Sequence, residues 1–265
     1  MIEEKSCIGV VGAGRAGLSL AGALRALGRE VLILSHHYDG PWDFTRWDFA
    51  SGFLAHCGIV FIATRDADVS PTAMRLAGSG VALSGKVFLH LSGAQGPDAL
   101  APIREAGASC GVMHPAVSLP GPNPDALRGI YFGLAGDPEA RTVAEEIVAG
   151  LGSRSFTIRD PALYHAACVM SAGFIAALVD MAGEIVGEAT DSDFHLLVPL
   201  ARSTLANMED SSPARALTGP QVRGDLSMVE NHLRALEEHY PRAAEIYRLL
   251  SDRMAEMVER MAEDL

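Results

Sequence analysis

The sequence predicts an α/β fold, in which a doubly wound, mostly parallel sheet over residues 1–158 precedes an all-helical domain over residues 159–265. Short apolar runs alternate with helical patterns up to Ile158, as is typical of a parallel sheet with helices on both faces. No strand-like alternation recurs after Ile158, whereas helical periodicity continues to the end of the chain. Asp160 followed by Pro161 suits a helix N-terminus, so the domain boundary is predicted near residues 158–160.

The apolar runs of the first domain predict seven strands and four helices. The strands are predicted at residues 7–11, 30–34, 59–63, 87–91, 109–113, 130–134 and 154–158. The helical patterns run near residues 15–27, 68–78, 97–106 and 138–151. The segment SHHYDGPWDFTRWD, residues 35–48, follows neither period, and we expect it to be an irregular loop at the rim of a pocket.

Composition excludes several classes of protein. A hydrophobic fraction of 49% over 265 residues is enough for a full core. The formal net charge of −12 disfavours nucleic acid and anionic membrane as main partners. The 4 cysteines are far apart and show no zinc-motif spacing, so we expect reduced thiols and no metal site. The start MIEEKSCIGVVG is unlike a signal peptide, and we expect a cytoplasmic protein.

Residues 161–179, PALYHAACVMSAGFIAALV, contain no Asp, Glu, Lys or Arg and approach the length of a membrane span. Many of them are small, and the helical pattern continues into Asp180, Glu184 and Glu188. We therefore expect a buried helix that packs inside a domain or dimer, outside any membrane.

A glycine-rich loop follows the first predicted strand. In CIGVVGAGRAGLSL the spacing G-x-G-x-x-G falls on Gly12, Gly14 and Gly17. The first glycine permits the tight turn, the second lets a diphosphate approach the backbone, and the third lets the helix pack on the strand. The phosphates then meet free N–H groups at a helix N-terminus. The sequence thus predicts a Rossmann domain whose cofactor loop comprises Gly12, Ala13, Gly14, Arg15, Ala16 and Gly17.

The end of the second predicted strand bears on the choice of dinucleotide. NAD sites place an acidic residue there to bind the ribose hydroxyls. Here the strand ends in Ser35, His36 and His37, which suit a 2′-phosphate better, and Arg46 would add charge. The sequence therefore favours NADP. NAD remains the alternative, because Asp39 or Asp43 would replace the missing carboxylate if either folded back.

Ligands of open α/β sheets lie beyond the carboxyl ends of the strands. Thr64 and Arg65 follow the third predicted strand and are expected to contact the cofactor. Ser92 follows the fourth and is expected to line both nicotinamide and substrate. His114 follows the fifth and is a candidate general acid or hydrogen-bond donor, the alternative being a histidine satisfied near a strand end. His165 lies on an alanine-rich helical face and must bind either another protein group or a substrate carbonyl.

The segment LTGPQVRGD, residues 217–225, interrupts the helical half. A nucleotide domain rarely holds a whole substrate site, so we expect this segment to supply groups from the second domain. Gly219 and Gly224 allow an open turn, and the guanidinium of Arg223 can bind a carboxylate or phosphate through two hydrogen bonds. Asp225 either orients Arg223 or caps the next helix. The alternative is a surface ion pair between Arg223 and Asp225.

Read together, GVVGAGRAG, HLSGAQG, MHP, YHAA and LTGPQVRGD resemble a family of Rossmann-like oxidoreductases with a helical C-terminal domain called DUF2520. That family is similar to ketopantoate reductases, pyrroline-5-carboxylate reductases and 6-phosphogluconate dehydrogenases. The resemblance implies NADP or NAD as cofactor, a C-terminal domain like that of 6-phosphogluconate dehydrogenase, and a homodimer formed through the helical domain. The positions it implies are Gly12, Gly14 and Gly17 for the cofactor, and Ser92, His114, His165, Thr218, Arg223 and Asp225 for catalysis and substrate.

The chain departs from this pattern in two places. Ser171 lacks the asparagine that commonly follows it in the family, which removes one expected substrate hydrogen bond. The only lysines are Lys5 and Lys86, and neither follows a strand or lies in the helical half. The catalytic lysine of ketopantoate reductases thus has no counterpart, and the proton donor would be histidine, tyrosine or water.

These observations predict an NADP-dependent oxidoreductase that reduces a small carbonyl or imine substrate bearing an anionic group. Ser92 would lie near the nicotinamide, Arg223 would bind the anion, and His114 or His165 would steer the proton. The alternative is an NAD(P)-binding sensor or scaffold without catalysis, which the missing lysine favours.

Overall fold

The structure is a computed structural model that describes residues 7–36 and 43–263. Its contacts divide the chain into two compact units, which meet in sequence between Ala172 and Gly173. We call residues up to Ala172 the sheet unit and residues from Gly173 the helical unit.

The sheet unit contains an eight-stranded sheet in the order β3-β2-β1-β4-β5-β6-β7-β8. The strands are β1 Cys7–Val11, β2 Val31–Ser35, β3 Thr45–Arg46, β4 Cys57–Ile62, β5 Val87–His90, β6 Ser109–Pro115, β7 Tyr131–Gly136 and β8 Arg154–Thr157. Every neighbouring pair is parallel except β6 and β7, which are antiparallel. The predicted mostly parallel sheet is therefore confirmed.

Helices cover both faces of this sheet. They are α1 Arg15–Ala26, α2 Ala50–His56, α3 Asp66–Ala77, α4 Ala101–Glu105, α5 Pro138–Gly150 and α6 Pro161–Ser171. One apolar core contains buried residues of α1 and α5, including Leu24 and Ile147. The other contains buried residues of α2, α3 and α4, including Leu54 and Leu76. Two cores on opposite faces confirm the predicted doubly wound arrangement.

The structure differs from the predicted elements in three places. Helix α2 and the two-residue strand β3 lie where the sequence predicts no element. Helix α2 was missed because ASGFLAH has a weak helical pattern and ends at His56, directly before β4. Strand β6 extends to Pro115, so His114 lies inside the strand rather than after it.

The helical unit consists of α7 Gly173–Ala189, α8 Leu197–Asn207, α9 Pro213–Ala216, α10 Leu226–His239 and α11 Pro241–Glu263. The Tyr240 hydroxyl, between α10 and α11, hydrogen-bonds to the carboxylate of Glu188 on α7. In addition, Nδ1 of His232 lies 2.8 Å from the Tyr247 hydroxyl oxygen, joining α10 to α11. These polar contacts connect three of the five helices.

The apolar helical stretch at residues 161–189 is exposed within its own chain. Neither α6 nor α7 contains a buried residue. By length and composition alone, this stretch is able to cross a membrane. Of the two alternatives expected for this stretch, burial within its own domain is therefore wrong, and burial in a dimer stays a prediction.

Candidate functional site

The glycine loop forms the turn between β1 and α1, and two of its glycines, Gly12 and Gly17, are required for different steric reasons. Gly12 has a φ of +109°, and a Cβ there would lie 2.7 Å from the carbonyl oxygen of Ala63. At Gly17 a Cβ would lie 2.1 Å from the carbonyl oxygen of Gly12, so only glycine lets α1 pack this closely. A Cβ at Gly14 would meet nothing within 4 Å, because it would point into open space.

The N-terminus of α1 has free N–H groups directed at this space. Gly14 is the N-cap and provides no side-chain acceptor, and the first turn carries no acidic residue. Unpaired N–H groups at a helix N-terminus bind phosphate well, because the helix dipole adds to their hydrogen bonds. The loop can therefore hold a diphosphate against Gly14, and its predicted role in binding the cofactor stays a prediction.

Two adjoining cavities of about 550 Å³ each run along the carboxyl ends of the strands. Gly12, Thr64 and Arg65 line both cavities, so the two form one elongated cleft that bends at the glycine loop. The buried Oγ1 of Thr64 has no hydrogen-bond partner among the described residues. A buried hydroxyl without a partner costs free energy unless a ligand pairs with it. The cleft can thus hold a ligand that hydrogen-bonds to Thr64.

One end of the cleft carries a cationic and aromatic cluster at the carboxyl end of β2. Ser35, His36, Trp47 and Arg75 line this end. The Arg75 guanidinium lies 4.2 Å from the centroid of the Trp47 ring, and its Nη1 lies 3.3 Å from Nε2 of His36. The rings of His36 and Trp47 stack with centroids 5.1 Å apart. We call His36, Trp47 and Arg75 the β2-end cluster.

Arg75 and Trp47 were not among the residues predicted for this cluster. Arg75 comes from α3, about 40 residues after His36, so only the fold brings the two together. Arg46, the arginine that the sequence suggested, is exposed and does not belong to this cluster. Its Nη2 lies 3.6 Å from Oδ2 of Asp48. His37 and Asp39 fall outside the described residues. Asp43 is exposed and is not among the residues that line the described cleft.

His114 lies at the other end of the cleft, together with Leu91, Pro115 and Val117. Its Nδ1 lies 2.7 Å from the Tyr164 hydroxyl oxygen, and its ring lies edge-on to that of Tyr164. Burial, and secondly the nearby charge of His165, lower the pKa of His114 from its ordinary value to about 4. Burial also raises the pKa of Tyr164. Both side chains are therefore neutral at pH 7, and one of them donates the hydrogen bond that the other accepts.

The loop after β5 packs against the His114 ring. A Cβ at Gly93 would lie 2.8 Å from Nε2 of His114, so glycine is needed for this approach. The Ser92 hydroxyl is buried and accepts a hydrogen bond from the N–H of Ala94 at 3.3 Å. In the structure, Leu91 rather than Ser92 lines the cleft. The sequence HLSGAQG therefore forms a loop that packs against the His114 ring.

His90, which the sequence analysis did not select, holds the start of the same loop. It is fully buried, its Nδ1 accepts from the N–H of Ser92, and its Nε2 lies 3.1 Å from the carbonyl oxygen of Gly96. Burial lowers its pKa, so it stays neutral and donates through Nε2. Its role is to fix the path of residues 92–96, and its position inside a strand offered no sequence signal.

His165 follows Tyr164 in α6 and is half-buried. Its ring centroid lies 6.3 Å from that of His114, nearly perpendicular to it. The structure therefore brings together His114, Tyr164 and His165, whose side chains offer hydrogen-bond donors and acceptors beside the apolar wall of the cleft. Such a group can hold or transfer a proton but does not provide a strong nucleophile.

Arg223, Thr218 and Asp225 lie on the turn between α9 and α10. The turn uses Gly219 and Gly224, with φ of +108° and +69°. Arg223 and Thr218 are exposed. Asp225 is the N-cap of α10, where its Oδ1 accepts from the N–H of Met228 at 3.1 Å. Of the two roles expected for Asp225, the structure thus shows the helix cap.

Gln221 attaches this turn to α11. Its amide Nε2 donates to the hydroxyl oxygens of Tyr247 and Ser251, at 3.2 Å each. The turn is therefore anchored at one side chain, while the guanidinium of Arg223, two residues later, faces solvent within its unit.

Comparisons with known proteins match two parts of the chain, and the second match begins within the sheet unit. A family model described as a Rossmann-like domain matches residues 2–115, and the model for the domain of unknown function DUF2520 matches residues 130–254. No curated protein matches the sequence.

Several solved structures share the fold. A candidate NADP oxidoreductase from Bacteroides fragilis has 20% identity and a TM-score of 0.76, covering 96% of this chain and 99% of its own. A Thermotoga maritima protein has 22% identity and a TM-score of 0.74, with the same coverage. A reductive aminase from Aspergillus terreus, solved with NADPH and ethyl-5-oxohexanoate, has 16% identity and a TM-score of 0.67, covering 98% of this chain and 94% of its own. At these identities the likeness establishes the fold.

Proposed function

We propose that this chain, in which a Rossmann-like domain precedes a DUF2520 domain, is an oxidoreductase that transfers hydride between NADP(H) and a small carbonyl or imine substrate. The observation that carries the proposal is the cleft itself. It places open space over Gly14, an unpartnered Thr64 hydroxyl at its bend, and the paired His114 and Tyr164 at its far end. Several structural neighbours, among them an imine reductase from Myxococcus stipitatus in complex with NADP+, support the same reading.

The glycine loop would hold the diphosphate through backbone N–H groups, and Thr64 would bond to the cofactor beside it. When bound, the nicotinamide ring supplies or accepts a hydride. The chain itself needs only to orient the reactants, exclude water and manage one proton. Leu91, Pro115 and Val117 provide apolar surface suited to excluding water at that end.

We propose NADP(H) over NAD(H) because of the β2-end cluster. Arg75 offers a planar, permanently charged donor to a 2′-phosphate, and Ser35 lines the same end of the cleft. The Trp47 ring packs against one face of the Arg75 guanidinium. The Arg75 side chain is therefore already partly ordered before it binds a phosphate. NAD has no 2′-phosphate, so its binding would leave the Arg75 guanidinium without an anionic partner.

We propose that His114 and Tyr164 manage the proton. Reduction adds a hydride to the substrate carbon and a proton to its oxygen or nitrogen. Because His114 and Tyr164 share a hydrogen bond and are both neutral at pH 7, one can give its proton to the substrate while the other replaces it. His165, within 6.3 Å of His114 by ring centroids, would help to conduct the replacement proton from solvent.

For the substrate anion we propose Arg223. It is an exposed guanidinium on a turn that Gln221 fixes to α11. Asp225 is engaged as the cap of α10, which supports an anion-binding role for Arg223 over a local ion pair with Asp225. Loss of substrate affinity in Arg223→Ala, with NADPH affinity unchanged, would support the assignment.

We also propose a homodimer formed through the helices. Leu163 and Phe174 on α6 and α7, and Leu200 on α8, are each more than half exposed. Exposed apolar side chains on a protein with a net charge of −12 are better explained by a second copy than by an anionic membrane. We also propose a cytoplasmic location for the protein. Light scattering from pure protein without detergent should give the dimer mass, and a monomer would contradict the proposal.

The proposed activity is tested by mixing the protein with NADPH and one substrate panel at a time and following the consumption of NADPH. The panels are oxo acids, ketones supplied together with amines, and cyclic imines. Turnover that falls in His114→Gln and Tyr164→Phe supports the proposal. A tight NADPH complex without turnover favours the second candidate, a dinucleotide-binding sensor. One observation favours this candidate: Lys86, one of the two lysines, donates from Nζ to the carbonyl oxygen of Cys57 at the amino end of β4, far along the strand from the cleft.

A further inference from the structure

Four potential metal ligands meet at the amino ends of the strands, on the edge of the sheet opposite the glycine loop. Cys7 begins β1, Cys57 begins β4, Glu30 directly precedes β2, and His56 ends α2. We call these four residues the amino-end cluster. The ligand atoms of Cys7, Glu30 and His56 all lie within 4.8 Å of one another, and the Sγ of Cys57 lies 3.7 Å from that of Cys7. None of the four has a part in the proposed reaction.

Two distances in this cluster match edges of a zinc tetrahedron. With Zn–S bonds of about 2.3 Å, two thiolates on one ion lie about 3.8 Å apart. The Cys7 and Cys57 sulfurs lie 3.7 Å apart. With Zn–N and Zn–O bonds of about 2.1 Å, a histidine nitrogen and a carboxylate oxygen lie about 3.4 Å apart. Nε2 of His56 and Oε1 of Glu30 lie 3.3 Å apart. These two pairs share no residue, so they can become opposite edges of one tetrahedron. The Sγ of Cys57 lies outside the group of three whose ligand atoms are within 4.8 Å of one another, so zinc binding requires this thiol to rotate towards Glu30 and His56.

The fold explains why the cluster forms. Cys7 and Cys57 are register partners on the neighbouring parallel strands β1 and β4, so their side chains lie side by side on one face. Both cysteines are buried, whereas His56 and Glu30 are exposed by 59% and 63% of their side chains. A cation could therefore enter from the exposed pair and reach the buried pair.

The charges in the cluster suit a divalent cation. Two thiolates and one carboxylate carry three negative charges. A divalent ion and the ammonium of Lys86 together carry three positive ones, and Lys86 donates to the carbonyl oxygen of Cys57 at 2.8 Å. Thiolate and imidazole ligands select zinc over magnesium or calcium.

We propose that the amino-end cluster binds one zinc ion through Cys7, Cys57, His56 and Glu30. Four protein ligands leave no open position, so the ion is structural and takes no part in hydride transfer. It would fasten β1, α2, β4 and the start of β2 to one another. The chain spacing of these ligands fits no local zinc motif, and only the sheet order brings them together. The proposal does not depend on the proposed function, because the two sites lie at opposite ends of β1.

The test is a titration of reduced, untagged, full-length protein with Co²⁺, a spectroscopic substitute for zinc. We expect one equivalent to give the near-ultraviolet charge-transfer band of thiolate-bound cobalt, and Zn²⁺ to abolish it by displacement. His56→Ala and Glu30→Gln, which change exposed side chains and should fold, are expected to weaken Co²⁺ binding by at least about 10-fold. The double variant Cys7→Ser, Cys57→Ser should lose the band.

Two controls make the result specific. Cys110→Ser removes a buried thiol elsewhere in the core and should leave the band unchanged. A second exposed histidine–carboxylate pair lies elsewhere in the chain, with Nδ1 of His195 2.9 Å from Oδ1 of Asp193. His195→Ala breaks this pair and should not alter the affinity for Co²⁺. The absence of a thiolate-to-cobalt band in wild type would overturn the proposal, as would a band of unchanged affinity in both His56→Ala and Glu30→Gln. NADPH affinity unaltered by these two variants would show that the zinc and cofactor sites are separate.

Discussion

Nδ1 of His114 lies 2.7 Å from the hydroxyl oxygen of Tyr164, which joins the carboxyl end of β6 to the first turns of α6. The two residues are 50 positions apart, and both belong to the sheet unit. The same unit therefore holds the cofactor loop and the pair that we propose to manage the proton.

Replacing Tyr164 with phenylalanine tests this pair directly. The ring and its packing against Phe156 remain, but the hydroxyl that shares a proton with His114 is lost. We expect kcat to fall by roughly 100-fold, the usual contribution of a positioned acid, while the Kd for NADPH stays within about twofold. Tyr131→Phe, a change at an exposed tyrosine on β7, is the matched control and should retain full activity. Equal kcat in the two variants would remove Tyr164 from the reaction.

The low pKa of His114 predicts a pH-dependent contribution to stability. In the unfolded chain His114 has an ordinary pKa of about 6.5, whereas in the folded chain it is about 4. Between these values the unfolded state binds the extra proton, so stability is lost as the pH falls from about 6.5 to 4. The loss from this residue is up to about 3 kcal/mol. Unfolding free energies of His114→Gln should therefore depend less steeply on pH in that window, and parallel curves would show that His114 is not desolvated.

The glycines of the loop should separate folding from binding. Gly17→Ala places a Cβ 2.1 Å from the carbonyl oxygen of Gly12, and we expect it to destabilise the fold by about 1–3 kcal/mol or more. Gly14→Ala meets no protein atom within 4 Å, so its melting temperature should match wild type. It should nevertheless weaken NADPH binding at least about 10-fold, because its methyl group occupies the space for the diphosphate. Wild-type NADPH affinity in Gly14→Ala would place the cofactor elsewhere.

Arg75 should determine the preference for the 2′-phosphate. We expect Arg75→Gln to weaken NADPH binding about 10- to 100-fold, as the loss of a charge-assisted hydrogen bond does, and to leave NADH binding almost unchanged. Arg46→Gln is the control, because Arg46 is an exposed arginine on the neighbouring strand β3 that pairs with Asp48. Calorimetric Kd values for both cofactors decide between the two arginines. A larger effect from Arg46 than from Arg75 would contradict the assignment.

Much of the sheet could be predicted from the sequence, because seven of its strands appear as short runs between helical patterns. The observed strands begin and end within two residues of those runs. The glycine loop was equally readable, since G-x-G-x-x-G has a defined place between a strand and a helix. The direction of the strands could not be predicted, because the antiparallel pairing of β6 with β7 does not change the alternation of apolar and polar residues in either strand.

The candidate site could be predicted only where its residues follow a strand in sequence. Thr64 and Arg65 belong to this group, and His114 was selected because it follows the predicted strand, although it lies inside β6. Arg75, Trp47 and His90 were missed because they reach their positions through the packing of α3, a short turn after β3, and the interior of β5. The amino-end cluster was missed for a related reason, since the order of strands and not the spacing of cysteines assembles it.

The central claim, that the cleft over Gly14 binds a nicotinamide dinucleotide, is tested most directly by titrating pure protein with NADPH in a calorimeter. We predict saturable heat with one NADPH bound per chain, and weaker binding of NADH. No heat with NADPH, NADP+, NADH or NAD+ would contradict the claim and the reaction proposed from it.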